Sequence, residues 1–300
     1  MKLATTTGDF SRFFIDHKER VKHVADAGFR YIDLSMYTIF DQDPLFCGCN
    51  WQDYAKELAD YTASLGAKFV QAHSPGGNPL SCDVAAQNLL EATIRSIDVC
   101  GALGIPNIVV HAGVLPDISK AQSFKLNCEF FNKLIPAMER NGVNVLCENS
   151  TAANTGSMYF TNSGADIKEF VEYVNHPLFH ACWDTGHGNI EGSQYDEIMA
   201  VGRDLFAVHI NDNRGVWDEH ILPFCGTTNF GEIINALIDC EFKGYFTFEC
   251  ENAMIRASQR RSFDRDNRLL EPQLFMQKHL ERLMYEIGEY ALKAYNCFEE

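Results

Sequence analysis

Eight short runs rich in Val, Ile, Phe, Tyr and Thr recur along this chain, and their alternation with helix-like segments limits the fold more than any other feature. They are KLATTT (2–7), RYIDLS (30–35), KFVQAH (68–73), NIVVH (107–111), VNVLCE (143–148), HACWD (180–184), LFAVHI (205–210) and GYFTFE (244–249). Near-continuous apolar runs of this length fit strands buried on both faces, as in parallel sheets. Between them lie segments with apolar residues at helical spacing, such as WQDYAKELADYTASLG (51–66) and AAQNLLEATIRSIDVCGALG (85–104), both closed by the Gly that often ends a helix. Strands four and five follow Gly or Pro turns directly, in ALGIPNIVVH and ERNGVNVLCE. Eight strand–helix units in about 250 residues are the count and size of a (β/α)8 TIM barrel, an α/β fold. A doubly wound open sheet is the alternative, but it rarely needs eight such regular units.

The chain of 300 residues is 46% hydrophobic, enough to bury one large core. No low-complexity tract, Pro-rich linker or change of composition interrupts it. Residues 1–300 therefore read as a single barrel domain, with 255–300 as a C-terminal helical tail. The formal net charge of −16 argues against a nucleic-acid partner, because a phosphate backbone is usually met by excess Lys and Arg. The first residues, MKLATTTGDFSRFF, lack the apolar stretch of a signal peptide, and no run approaches the roughly 18 apolar residues of a membrane helix. The expectation is a cytoplasmic protein with no membrane partner. Eleven scattered Cys without a CxxC pair fit reduced thiols, and Cys100, Cys147, Cys182 and Cys250 read as small hydrophobes within apolar runs.

The strand ends carry the chemistry. Strand three ends at His73, four at His111, five at Glu148, six at Asp184, seven at His209 and eight at Glu249. In a parallel barrel these ends converge on one face, where active sites sit. One His or Glu at a strand end is usually a solvated or hydrogen-bonded residue, but six in succession point to a shared site. His187 and His220 lie just beyond the ends, whereas His17, His23, His176, His180 and His279 fall elsewhere and read as structural.

Taken together, LCEN (146–149), WDTGH (183–187), HINDN (209–213), DEHILPF (218–224) and FECE (248–251) resemble the successive strand-end motifs of the xylose isomerase-like barrel superfamily. That superfamily includes sugar-phosphate isomerases and epimerases, inositol-catabolism enzymes, ketose 3-epimerases and the endonuclease IV class of DNA repair enzymes. The resemblance runs from about residue 3 to residue 251. It implies a divalent cation (Mn, Mg, Co or Zn) held by Glu148, Asp184, His209 and Glu249, an oxygen-rich set suited to such ions. It further implies a small carbohydrate substrate, and Glu148 and Glu249 as acid and base moving a proton next to a carbonyl through a metal-stabilised enediolate. His187 would then contact a substrate oxygen or stand just outside the metal's ligands.

The endonuclease IV pattern implies a larger set, with His73, His111, His187, Asp218 and His220 joining those four as substrate contacts or further metal ligands. A multinuclear zinc phosphodiesterase is thus an alternative, and a barrel that binds sugar or metal without turnover is another. The SPGGNPL that follows His73 lacks the Tyr-containing loop of the repair enzymes, and ENSTAANTG departs from them after Glu148. A ketose 3-epimerase would carry an Arg six residues after the strand-seven His, where this chain has Gly215, with Arg214 one residue early.

Three segments bear on substrate and assembly. The loop after strand two carries Tyr37, Phe40, Phe46 and Trp51, as a lid over the barrel mouth, a subunit contact or plain loop packing. Arg256, Arg260, Arg261, Arg265 and Arg268 follow strand eight near the usual phosphate site of barrels, but Asp264 and Asp266 interleave with them, as in a solvated helix start. Met276, Leu280, Leu283, Met284 and Ile287 lie at helical spacing, as core or as the contact of a homo-oligomer.

Overall fold

The computed structural model describes residues 1–39, 42–47, 49–81, 84–156, 160–252 and 270–300. Its centre is a closed barrel of eight parallel strands, paired in chain order with β8 back on β1. The strands are β1 (Lys2–Thr6), β2 (Tyr31–Ser35), β3 (Lys68–His73), β4 (Asn107–Val110), β5 (Asn144–Glu148), β6 (Phe179–Asp184), β7 (Leu205–Ile210) and β8 (Tyr245–Phe248). The connecting helices include α1 (His17–Ala27), α2 (Trp51–Ser64), α3 (Val84–Leu103), α4 (Lys120–Asn132), α5 (Ile135–Asn141), α6 (Ala152–Thr155), α7 (Gly164–Val174), α8 (Thr185–Glu191), α9 (Tyr195–Val201) and α10 (Phe230–Asp239). The tail forms α11 (Leu270–Ala294), which packs on α1, on β1 and on the 3-10 turn at Thr7–Phe10. No helix among the described residues is long and apolar enough to cross a membrane.

Local chemistry sets the helix ends. Asp16 accepts a hydrogen bond from the Lys18 backbone to open α1, and Gly28 closes it in the left-handed conformation. Ser119 and Gln122 cap α4 reciprocally. The helices pack on the outer wall of the barrel through the main apolar core, which lies between strands and helices. A second, small cluster of Val109, Leu146, Cys182 and Ala207 is separate from it. Residues two apart on a strand share a face, so these four side chains lie on the inner face of β4 to β7, one layer beneath His111, Glu148, Asp184 and His209. They plug the barrel under the strand ends. Cys100, Cys147, Cys182 and Cys250 are all buried.

The strand ends differ slightly from the sequence expectation. His111 and Glu249 lie one residue beyond β4 and β8, and His209 is the penultimate residue of β7. His111 and Glu249 still line the mouth, because the pleat continues into the first loop residue.

Candidate functional site

Asp184 shows how the local sequence builds the site. It ends β6 and serves as the N-cap of α8, accepting a hydrogen bond from the His187 backbone at 2.7 Å. Its other oxygen accepts from Asn211 Nδ2 at 2.6 Å. Gly186, between them, cannot carry a side chain: a Cβ there would lie 1.9 Å from Asn211 Oδ1. The DTGH turn thus clamps Asp184 from two directions and leaves the His187 ring over the barrel mouth, with its Nδ1 at 2.9 Å from the Asn149 carbonyl.

The remaining candidates meet on this face. Glu148 is the hub, with one carboxylate oxygen 2.6 Å from His209 Nδ1 and the other 2.5 Å from His111 Nε2 and 3.6 Å from His73 Nε2. Glu249 Oε2 stands 3.2 Å from His209 Nδ1, so that ring nitrogen is flanked by both carboxylates. The loop after β7 folds back through a two-way backbone bridge between Asp212 and Ile221. That fold brings Asp218 within 3.3 Å of His187 Nε2 and 3.0 Å of His220 Nε2. His220 itself is held at a φ of 50°, a conformation a non-Gly side chain adopts at a cost. Seven of the nine candidates, His73, His111, Glu148, His187, Asp218, His220 and Glu249, line a cavity of about 540 Å³, and the buried Asp184 and His209 stand behind them in reach of Glu148. Asn78, Asn149, Ser150, Asn154 and Asn252 complete its polar wall.

Among the described residues, three ligand groups have donor atoms that, within each group, all lie within 4.8 Å of one another: Glu148, Asp184, His209 and Glu249; His73, Glu148 and His209; and His187, Asp218 and His220. The first fits a divalent cation by its chemistry. Three buried or half-buried carboxylates beside one imidazole leave negative charge in a region of low dielectric, and an oxygen-rich set of this kind suits Mg, Mn, Co or Zn.

Imidazoles face these carboxylates and shift their protonation. Burial opposes ionisation of Glu148, yet His209 and His111 hold its carboxyl well below the usual range. Glu249 is likewise brought down to about 2, against its burial, by His209 and His220. Burial favours neutral rings, but Glu148 and Glu249 push His73 up to about 9, while Asp184 and Asp218 push His187 up to about 10. Asp184, with burial the dominant effect, is raised.

Of the loop after β2, Tyr37 alone among its described aromatics lines the cavity, with its ring centre 5.3 Å from that of His73 and 6.0 Å from that of His111. Phe46 and Trp51 pack on the core instead, and Arg95 lies over the Trp51 ring. Phe40 and the Arg-rich segment with Arg256, Arg260, Arg261, Arg265 and Arg268 lie outside the described residues. Arg214 is exposed and pairs with Glu219. His17 bonds Asp43, and His180 stacks on Phe206, and neither lines the cavity.

Three further residues belong to the site without being singled out by the sequence: Glu251 lines the cavity, its carboxyl raised by burial and by Glu249, and Asn149 and Asn211 fix Asp184. Asp33 and Gln71, on the inner faces of β2 and β3, are likewise not singled out. The two Asn stand in the quoted motifs beside ligand-type residues, which is a usable signal. Asp33 and Gln71 stand in ordinary strand runs and offer none.

Comparisons with known proteins match this picture. A family model described as a xylose isomerase-like TIM barrel matches residues 21–275. An uncharacterized protein of Sinorhizobium fredii, y4fM, is 27% identical over 174 residues, 56% of this chain and 54% of that protein. A probable endonuclease 4 of Citrifermentans bemidjiense is 26% identical over 129 residues, 38% of this chain and 44% of that one. The chain thus spans about half the length of these curated relatives. Among solved structures, a D-psicose 3-epimerase crystallised with D-fructose superposes with a TM-score of 0.72 at 17% identity, over 97% of this chain and 99% of the other. An AP endonuclease, family 2, of Brucella melitensis gives 0.65 at 17% identity, over 84% and 93%. At such identities the likeness is one of fold.

Proposed function

Because this chain belongs to the xylose isomerase-like TIM barrel family, we propose that it is a metal-dependent isomerase or epimerase of a small sugar or sugar phosphate. The observation that carries this reading is the pair Glu148 and Glu249, two carboxylates that flank His209 Nδ1 on the floor of an amide-lined cavity. A volume of about 540 Å³ suits a small polyhydroxylated molecule, and Asn side chains offer both donors and acceptors to its hydroxyls.

Glu148, Asp184, His209 and Glu249 would hold the cation. When bound, it supplies the positive charge that polarises a carbonyl and acidifies the adjacent C–H. Glu148 and Glu249 stand ionised beside imidazoles, the state a base requires. One carboxylate takes the carbon-bound proton, and for an epimerisation the other returns a proton to the opposite face. His187, anchored through Nδ1 on the Asn149 carbonyl, presents Nε2 to a substrate oxygen and gives up its contact with Asp218. Tyr37 covers the His73 and His111 side of the cavity and limits water there.

One observation favours a second reading. His187, Asp218 and His220 form a ligand group of their own, with the imidazole content that suits zinc, as a multinuclear phosphodiesterase of the endonuclease IV kind requires. The net charge of −16 disfavours a polyanionic substrate. The two readings part on metal count and on proton exchange. The purified protein should hold about one metal per chain and, with ketoses, inososes or sugar phosphates in D2O, wash deuterium into a carbon adjacent to the carbonyl. About three zinc ions per chain, no exchange with any of these compounds and cleavage of an abasic-site phosphodiester would refute the isomerase and establish the hydrolase.

A further inference from the structure

Beneath the proposed cation set, two polar side chains occupy the inner layer of the barrel: Asp33 on β2 and Gln71 on β3. The pairing of these strands slips between Ile32 and Asp33, so that Ile32 faces Phe69 while Asp33 faces Gln71 rather than Val70. A bulge of this kind re-aims a side chain. Here it sets Gln71 directly across from Asp33, on the same face of β3 as His73. The Gln71 amide nitrogen lies 2.9 Å from His209 Nε2. That is the ring atom opposite Nδ1, which faces Glu148 and Glu249.

Asp33 is only 1% exposed, and neither of its oxygens closes a hydrogen bond of normal length. Leaving a buried polar group so is costly, and a fold tolerates it where the group has another use. The two ends of a Gln amide have nearly the same shape, so Gln71 can turn over in place. Turned, its oxygen accepts the Nε2–H of His209 and its nitrogen donates to Asp33, which satisfies both neighbours. A His that ligates through one ring nitrogen commonly donates its other N–H in this manner.

We propose that Asp33 and Gln71 form a relay that holds His209 with Nε2 protonated and Nδ1 free to bind a cation. This rests on the reading of His209 as a metal ligand. Asp33 is a positioning residue: its negative charge selects the amide orientation, and the amide selects the tautomer.

The test uses Gln71→Met, which keeps bulk and removes the amide, Asp33→Asn, which keeps shape and removes charge, and the double variant. Folding is checked by circular dichroism. Zinc affinity, measured by competition with a chromogenic chelator, should fall roughly 10- to 100-fold in Gln71→Met and less in Asp33→Asn. The double variant should fall below Gln71→Met by less than Asp33→Asn costs by itself, because the part of the Asp33 effect that passes through the amide is already lost. In histidine side-chain 1H–15N spectra of the metal-free protein, the Nε2–H of His209 should be protected from exchange in the wild type and lost in Gln71→Met. Losses that add in the double variant, or an Nε2–H signal indifferent to Gln71, would overturn the relay. A wild type that takes up no zinc would instead remove the cation reading, and the Nε2–H signal then decides the relay by itself.

Discussion

Replacing Glu281 by Gln should stabilise the protein at pH 8 and do much less at pH 5. Glu281 lies on α11 where the helix covers the turn after β1, and it is fully buried with neither carboxylate oxygen in a hydrogen bond. Burial holds its carboxyl at about 7, with Asp9, Thr5 and Gln277 as the polar groups that face it. Asp9, itself buried, is raised by burial and by Glu281 and Glu251, so the two acids compete to stay protonated. The sign follows from linkage. A carboxyl whose folded value is raised binds its proton more tightly in the folded state, so stability falls as pH rises from about 4.5 through about 7 and stays lost above. At pH 8 the penalty is about 3 kcal/mol, and at pH 5 it is below ~1 kcal/mol. Gln carries no charge and donates a hydrogen bond to Asp9, so the variant avoids this cost. For a domain of this size the gain corresponds to a Tm increase of roughly 5 °C at pH 8. Thermal denaturation of both proteins at the two pH values is the assay. An equal Tm shift at both, or a lower Tm for the variant at pH 8, would refute the argument and imply that Glu281 is ionised against a partner.

Asp184→Ala and His209→Ala should each strip the bound metal while the circular dichroism spectrum stays that of a folded barrel; full metal occupancy in either variant counts against the ligand assignment. Glu249→Gln keeps shape and one coordinating oxygen but loses basicity, so deuterium exchange at saturating metal should fall about 10²- to 10⁴-fold. Exchange at the wild-type rate in a fully metallated sample would restrict Glu249 to metal binding and leave the proton transfer to Glu148. Gly186→Ala forces Asn211 away from Asp184, so urea unfolding should show a loss of roughly 1–3 kcal/mol together with weaker metal binding. An unchanged midpoint would mean that the turn relaxes freely.

The eight strand–helix units, and with them the barrel, are legible in the order of apolar runs, because strand burial on both faces and helix periodicity are properties of neighbouring residues. The convergence of His73, His111, Glu148, Asp184, His209 and Glu249 is legible too, since the ends of parallel strands in a closed barrel meet on one face whatever the side chains are. The tertiary structure alone decided which atoms meet. His111 reaches Glu148 Oε2 while His209 takes Oε1, a matter of rotamers and of spacing across strands that no local pattern encodes. Asp33 and Gln71 became neighbours through a one-residue slip between two strands, and a slip is a relation between segments, invisible in either run. Asp9 and Glu281 lie near opposite ends of the chain, and only the docking of α11 on the first turn makes them a buried acid pair. Sequence periodicity reports which face a side chain occupies; its partners are set by register and packing, which arise when the elements close on one another.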